Sequence, residues 1–190
     1  SNSVFLILGR HAYYKGLSTL VKALKYNSGR SLEQTNHIVI AGAVADDEAL
    51  SQLNELKNYS HQISIIERAV TEKEKIYLLQ NCEVFLFLSN QPSEAFGITQ
   101  LEAAAAKLPI VNFDLKTGVV EVGANGITAH TLKLDDYISV ANMLGTPTRQ
   151  TYFDFYRPAI VDQFLKDNFS EQTTCRSLHN IYNDAARTVL

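Results

Sequence analysis

Two glutamates eight positions apart, Glu94 and Glu102, are the acidic side chains whose placement most suggests chemistry. An ionised carboxylate only accepts hydrogen bonds, and it can hold the paired hydroxyl groups of a ribose or a hexose. Glu94 lies in the loop after an apolar run, and Glu102 lies about one turn inside the next predicted helix. We predict that both face one crevice and bind a ligand with paired hydroxyls. The alternative is structural: Glu102 would favour the helix N-terminus, and Glu94 would be solvated.

Two cations follow the first apolar run, in the loop from Gly9 to Gly16. Arg10 and Lys15 stand there beside a predicted helix N-terminus. Backbone amides at a helix start favour anions, and charge-assisted hydrogen bonds from Arg and Lys strengthen phosphate binding. The loop lacks the GxGxxG pattern of dinucleotide sites, and it is not a Walker A loop because Lys15 precedes its glycine. It therefore predicts a phosphate site of another kind, with a solvated pair of loop cations as the alternative.

A glycine stands just before the helix that carries Glu102. Gly97 lets the backbone approach a ligand closely, because it has no side chain. The amides of Gly97, Ile98 and Thr99 are predicted to point out of the helix start, where N–H groups have no partner within the helix. We expect these amides to bind the same ligand as the two glutamates.

Metal ligands are not evident in the sequence. It has no DxD element, and the acidic pairs at 46–47 and 135–136 stand at predicted helix starts, where carboxylates act as caps. The five histidines are scattered, and the two cysteines form no CxxC pair. We therefore predict no metal site and no disulfide framework. His11 is interpreted as a polar loop residue and not as a catalytic histidine.

Short apolar runs alternate with helical periodicities along the chain. Most runs are continuously apolar, as in strands that are buried on both faces of a parallel sheet. The predicted strands are Val4–Leu8, 37–42, Ile63–Ile66, 84–89, 109–113 and 127–132. About six strands alternating with helices predict βαβ units, and hence a Rossmann-like α/β fold with helices on both faces. Such sheets bind ligands at the carboxyl ends of their strands, where both loops described above lie.

Helical spacing of apolar residues completes the prediction. The predicted helices are one lined by Leu17, Leu20, Val21 and Leu24, a second lined by Leu50, Leu53 and Leu56, a third opened by a capping box at 71–74, and others at 98–107, Val119–Val122 and 135–144. Two more segments, 152–166 and 170–189, form a predicted C-terminal helical extension, the second capped by Ser170. We assign 4–147 to the Rossmann-like domain and 148–190 to the extension, and we interpret 1–3 as a cloning remnant.

Composition excludes several classes of protein. A chain of 190 residues with 46% hydrophobic and 19% charged residues predicts one globular domain with its own core. The net charge of −3 argues against a nucleic-acid-binding surface. No apolar run is long enough to span a bilayer, and no charged leader precedes the first strand, so we expect neither a transmembrane segment nor a secretory signal. The cysteine usage suits a reducing compartment, and we expect a cytoplasmic protein.

Together, the two loops resemble the signature of the family-4 glycosyltransferases, which have the GT-B fold. The motif-bearing segments are GR followed five residues on by KG, EAFGITQLEA with its two glutamates, AAAAKLPIV, TGVVEVGANGITA and NFS…LHNIY. The resemblance covers nearly the whole chain, and it is to the C-terminal, donor-binding half of the family's fold. One departure is Lys107-Leu108, which replaces the small residue usually found before Pro109. We expect this to alter helix-to-strand packing rather than donor contacts.

The resemblance implies a role for each matching residue. Arg10 and Lys15 would hold the pyrophosphate of a nucleotide-diphosphate sugar, and with Glu94, which would bind the sugar hydroxyls, they form the expected catalytic set. Glu102 would bind the ribose. The remaining expected contacts are backbone amides at Phe96, Gly97, Ile98 and Thr99 for sugar and phosphate, and Arg68 to Val70 for the base. The family implies retaining transfer with no cofactor, and we expect the donor to be a UDP-sugar.

The family also implies a partner half that this sequence lacks. A polysaccharide, lipopolysaccharide or other glycan or lipid-linked acceptor would bind to the missing N-terminal domain, at the inner face of the plasma membrane. The final helices would pack on that domain, so we expect some of Phe153, Phe155, Tyr156 and Phe164 to be exposed and to promote dimerisation. The alternatives are a non-catalytic nucleotide-sugar-binding subunit and a nucleotide-sugar epimerase of the same fold. A receiver-like signalling domain is disfavoured because Gly9-Arg10 stand where it needs an acidic pair.

Overall fold

The computed structural model describes residues 3–30, 36–146 and 151–173. Its centre is a six-stranded parallel sheet in the order β3-β2-β1-β4-β5-β6. The strands are β1 Val4–Leu8, β2 His37–Ala41, β3 Ile63–Ile66, β4 Val84–Phe87, β5 Ile110–Phe113 and β6 Ala129–Leu132. The predicted Rossmann-like α/β fold is therefore confirmed. Four predicted strands were one or two residues too long, β2 and β4 at their end and β5 and β6 at their start. At the end of β4, Leu88 remains buried, at 2% exposed, although it lies outside the strand.

The strands are buried on both faces, which explains their continuous apolar sequences. Phe5 pairs with Ile38 on one side and with Val84 on the other, so β1 lies at the centre of the sheet. Phe5, Phe85 and Phe113 are among the largest fully buried side chains. Chain order reverses between β1 and β4, and the crevice at the carboxyl ends of these two strands is the point where ligands of this fold bind.

The helices are α1 Leu17–Asn27, α2 Asp47–Leu56, α3 Glu72–Asn81, α4 Ile98–Ala105, α5 Val119–Val122, α6 Tyr137–Leu144 and α7 Pro158–Phe169. Three of the helices, α2, α3 and α6, begin at side-chain caps that the sequence supplies. Asp46 caps α2 by accepting from the Ala49 amide over 2.8 Å, and Asp136 caps α6 in the same way. Thr71 and Glu74 form the predicted capping box of α3. α1 packs against α2 and α6, and α4 packs against α5 and α7.

The C-terminal part differs from prediction. A helix was expected at 152–166, but α7 begins only at Pro158, whose ring suits a first helical position and not a helix interior. Phe153 and Tyr156 are buried against the core rather than exposed, and Phe153 packs edge-on against His130 with ring centres 6.3 Å apart. The predicted cap at Ser170 accepts from the Thr173 amide over 3.2 Å. The rest of the predicted final helix lies outside the described residues.

Lys107, which replaces the small residue expected before Pro109, lies just after the end of α4. This residue has a φ of +64°, in the left-handed region that glycine adopts most easily. Its amide donates to the Ala104 carbonyl, which closes the helix two residues before the predicted end at 107. The Lys107 ammonium pairs with Asp162 of α7. The lysine therefore ties the C-terminal helix to α4, while Leu108 is buried in the core.

Candidate functional site

The loops after β1 and β4 are in direct backbone contact at the carboxyl end of the sheet. Gly16 has a φ of +74°, and a Cβ at this position would stand 1.8 Å from the carbonyl oxygen of Leu88. The Asn90 amide donates to the Tyr14 carbonyl over 3.0 Å. Only glycine allows this approach at position 16, and the two loops that carry the predicted site residues are thereby brought together.

Lys15 and Glu94 form an ion pair between these loops. The Lys15 ammonium donates to Glu94 Oε2, which also accepts from Ser89 Oγ over 3.0 Å. The two side chains are 22% and 11% exposed, so the pair is shielded from most of the solvent. Lys15 Nζ also lies 5.2 Å from the ring centre of Tyr14 and 5.5 Å from that of Phe87, where aromatic faces attract a cation. A phosphate or sugar hydroxyl that reaches this point meets both charges at fixed positions.

The start of α4 presents backbone amides beside this pair. Gly97 has a φ of +77°, and a Cβ there would stand 2.8 Å from Phe87 Cζ. Because glycine has no side chain to cap the helix, the amides of Ile98 and Thr99 remain available to a ligand. Thr99 Cγ2 lies 3.6 Å from the place a Cβ on Gly9 would occupy, so the helix start borders the first loop.

A third loop, after β5, supports the segment that carries Glu94. Thr117 Oγ1 donates to the Glu94 carbonyl over 2.9 Å. The ring of Phe96 packs edge-on against Phe169 of α7, with centres 6.0 Å apart, so its side chain is engaged with the C-terminal helix and only its backbone matches the expected role. Sequence analysis missed Ser89 and Thr117. Ser89 ends a buried run and Thr117 begins the motif segment TGVVEVGANGITA, but neither signal pointed to a contact with Glu94.

Glu102 lies one turn further along α4 and pairs with a lysine of α3. Lys75 Nζ is 2.6 Å from Glu102 Oε1 and 3.0 Å from a carboxylate oxygen of Glu72. Its pKa is raised by the hydrogen bond to Glu102 first and by that to Glu72 second. The three charged residues line a cleft of about 350 Å³ between α3 and α4, together with Ile76, Leu79, Gln80, Ala105 and Ala106. Lys75 was missed because a pairing across 27 positions leaves no local pattern.

The first loop separates an exposed cation from a buried imidazole. Arg10 is exposed, and the ion pairs found within the described residues do not involve it. His11 is only 1% exposed, which corrects its interpretation as a polar loop residue. Its backbone exchanges hydrogen bonds with Ala43 and Ala45, which hold it under the loop after β2. Burial and then the charge of Lys15 lower the pKa of His11 to about 4, so the ring is neutral at pH 7.

The residues expected at the base lie apart from the ion pair. Arg68 follows β3 at the edge of the sheet, and its guanidinium bonds Glu74 over 2.6 and 3.0 Å. This pairing lowers the pKa of Glu74 to about 2. Val70 is partly buried against the core. The structure therefore joins Lys15, Glu94 and the α4 amides in one crevice and leaves Arg68 engaged elsewhere.

Two general findings complete the description of the site. Within the described residues, no three histidine, cysteine or acidic side chains are grouped so that they could hold a metal ion. In the same part of the chain, no helix is both long and apolar enough to cross a membrane.

This fold defines a Rossmann-like α/β domain, and the sequence places it in a family. Residues 1–141 match the profile of the glycosyl transferases group 1, and the chain belongs to this family. Its sequence is 25% identical over 137 residues to O-antigen chain mannosyltransferase C of Escherichia coli, covering 71% of this chain and 34% of that protein. It is 33% identical over 128 residues to D-rhamnosyltransferase WbpZ of Pseudomonas aeruginosa, covering 65% and 30%.

The fold is similar to that of solved glycosyltransferases. The crystal structure of Anabaena Alr3699/HepE in complex with UDP superimposes with a TM-score of 0.75 at 16% sequence identity, covering 96% of this chain and 49% of that one. The chain therefore has the fold of one half of a GT-B glycosyltransferase. It spans about a third of the length of the two curated relatives described above.

Proposed function

We propose that this chain is the donor-binding half of a retaining glycosyltransferase and that it binds a UDP-sugar. The observation that carries the proposal is the crevice in which Lys15, Glu94 and the amides of Ile98 and Thr99 converge. A cation and helix-start amides suit a diphosphate, and a carboxylate suits sugar hydroxyls. The neighbouring cleft at Glu102 suits a ribose diol. The UDP complex of the related structure supports uracil as the base.

The proposed reaction breaks the bond between the sugar's anomeric carbon and the β-phosphate oxygen. The bonding electrons leave with the diphosphate, and Arg10, Lys15 and the α4 amides stabilise the negative charge that develops there. An acceptor hydroxyl forms the new bond to the anomeric carbon on the same face and gives its proton to the leaving phosphate. Glu94 orients the sugar through its hydroxyls. No protein carboxylate is required as a base, which agrees with the pairing of Glu94 to Lys15.

The acceptor is proposed to be a growing surface polysaccharide or lipopolysaccharide, bound by a partner domain. One relative is named for O-antigen chain synthesis, which supports this class. We place the reaction in the cytoplasm, at the inner face of the plasma membrane. The 190-residue chain alone should bind donor without turning it over, because the acceptor half of a GT-B enzyme completes the cleft.

Ligand-observed NMR of the chain tests the proposal, with UDP, GDP, UDP-glucose, UDP-N-acetylhexosamine and GDP-mannose as probes. Half of a site should bind with a Kd of about 0.1–1 mM. Glu102→Ala and Arg10→Ala should each abolish detectable binding, whereas Glu55→Ala, which alters an exposed pair with Lys25, should not. Binding of UDP compounds alone supports the proposal. Preference for GDP compounds would overturn the choice of base, and a folded chain that binds no nucleotide would overturn donor binding by this half.

A further inference from the structure

Asp135 holds an unusual backbone conformation at the same end of the sheet as the site. It follows β6 by three positions and has a φ of +61°, in the left-handed region that non-glycine residues rarely adopt. This conformation is unfavourable for an L-residue, although aspartate tolerates it better than most. Such strain persists where surrounding contacts compensate for it, and it often marks a site that function requires.

The Asp135 side chain bridges two elements that are distant in sequence. Its Oδ1 accepts hydrogen bonds from Thr19 Oγ1 on α1 and from Asn90 Nδ2 over 3.2 Å. Its Oδ2 lies 3.7 Å from Lys22 Nζ. Burial alone would raise the pKa of Asp135, but the bonds from Thr19 and Asn90 and the charge of Lys22 outweigh burial and lower it. An ionised carboxylate therefore joins α1 to the loop after β4.

Asn90 connects this bridge to the Lys15–Glu94 pair. Its backbone amide donates to the carbonyl of Tyr14, the residue before Lys15. It also follows Ser89, whose hydroxyl bonds Glu94. Asn90 is thus bonded to the residue before Lys15 and is itself the residue after Ser89, which bonds Glu94. A shift of Asn90 would move both segments relative to each other.

We infer that Asp135 is a positioning residue, which through Asn90 keeps the loops after β1 and β4 in the register that the donor site requires. This inference rests on the proposed function of that site. It gives Asp135 no contact with the donor. Asp135 instead keeps a strained backbone conformation, and its side-chain contacts fix the distance between Lys15 and Glu94.

Replacing Asp135 by glycine distinguishes the positioning role of its side chain from a contribution to stability alone. In Asp135→Gly every side-chain contact is removed, while relief of the backbone strain offsets part of the stability lost with them. In Asp135→Asn the side-chain oxygen still accepts from Thr19 and Asn90, and asparagine tolerates the left-handed region. A matched control is Glu55→Gln, because Glu55 also pairs with a lysine of α1, Lys25, but lies away from the crevice.

Two measurements on the 190-residue chain test the inference. The first is hydrogen exchange of the Asn90 amide without ligand, which we expect to be about tenfold faster in Asp135→Gly and unchanged in Asp135→Asn and Glu55→Gln. The second is an NMR titration with UDP-glucose and GDP-mannose, in which we expect the Kd of the bound compound to rise about tenfold in Asp135→Gly alone. Thermal unfolding verifies that Asp135→Gly is fully folded at the temperature of both measurements.

The outcomes separate the two hypotheses. Unchanged exchange at Asn90 in Asp135→Gly overturns the inference, and so does faster exchange with an unchanged Kd. If the wild type binds neither compound, the proposed donor site fails. The exchange measurement then still decides whether Asp135 holds the two loops together.

Discussion

The two ends of the same sheet are held together by different interactions. At the amino end, Asn36 accepts from the Ser3 amide over 2.8 Å and donates to the carbonyls of Met143 and Thr146 over 3.1 and 2.9 Å. Asn27 donates to the Ala141 carbonyl at the same end. At the carboxyl end, charged side chains add ion pairs between segments: Lys15 with Glu94, Lys75 of α3 with Glu102 of α4, and Asp135 with Lys22 of α1.

This difference matches the roles of the two ends: the neutral amides at the amino end stabilise the fold, and the ion pairs at the carboxyl end lie in or beside the proposed donor site. Neutral amides bonded to backbone carbonyls satisfy buried groups permanently, and a ligand would gain nothing by replacing them. Lysine–glutamate pairs at the mouth of a crevice can exchange partners: a phosphate can take the lysine, and a diol can take the carboxylate. Under the proposed function, the charged end is assembled before a donor binds, and its ion pairs keep the charges compensated until then.

The largest expected effect is acid destabilisation through His11 at the charged end. A folded pKa of about 4 against 6.5 in the unfolded chain means that the unfolded state binds the proton first. The His11 contribution to stability should therefore be constant above pH 7, fall by about 3 kcal/mol as the pH drops from 6.5 to 4, and level off below pH 4. Urea unfolding at a series of pH values across this range measures the free energy of unfolding. His11→Gln should remove this component of the pH dependence, and an equally steep loss in that variant would contradict the assignment.

A second test removes the neutral amide of the other end. Asn36→Ala removes the buried hydrogen bonds to the backbone of Ser3, Met143 and Thr146, so we expect a loss of about 2–3 kcal/mol in the free energy of unfolding. Nucleotide affinity should not change, since no charged group of the crevice is touched. Denaturant unfolding and NMR titration measure the two quantities. Asn54→Ala, on the exposed side of α2, is the matched control; a weakened affinity in Asn36→Ala alone would break the division between the ends.

Substitution of the two glutamates should distinguish the two ion pairs. Glu94→Gln leaves the mostly buried Lys15 without its counter-charge, and we expect a stability loss of about 1–2 kcal/mol together with weaker donor binding. Glu102→Gln should weaken binding with almost no loss of stability, because Lys75 retains Glu72. Thermal unfolding and titration of both variants give the comparison. Equal destabilisation by Glu94→Gln and Glu102→Gln would show that the difference in burial between the two ion pairs does not affect stability.

The smallest expected effect concerns the two non-glycine residues with positive φ among the described residues, Lys107 near the amino end and Asp135 at the carboxyl end. Lys107→Gly relieves backbone strain and loses only an exposed ion pair with Asp162, so we expect about 0.5 kcal/mol of added stability. Lys107→Ala keeps the strain and should be less stable than wild type. Chemical unfolding ranks the three, and donor affinity should be the same in all of them, unlike in Asp135→Gly.

Much of the fold could be predicted because its signals are local. Continuous apolar runs identified all six strands, and Asp46, Thr71 and Asp136 marked helix starts that the structure confirms as caps. The C-terminal region was mispredicted: a helix was expected at 152–166, across Pro158, but α7 begins only at that proline. Tertiary packing on His130 decided the place of Phe153, and no local pattern could report that contact.

The sequence by itself determined the parallel sheet, the family, and the two loops in which the donor site was sought, since strand periodicity, glycine positions and the Glu94–Glu102 spacing are properties of neighbouring residues. Only the tertiary structure decided which charges meet. Lys15 reaches Glu94 across 79 positions, Lys75 reaches Glu102 across 27, and Asp135 reaches Thr19 across 116. The burial of His11 was decided in the same way. Such pairings depend on how strands β1, β4 and β6 align their carboxyl ends, and that alignment comes from the packing of the whole sheet and not from any segment of it.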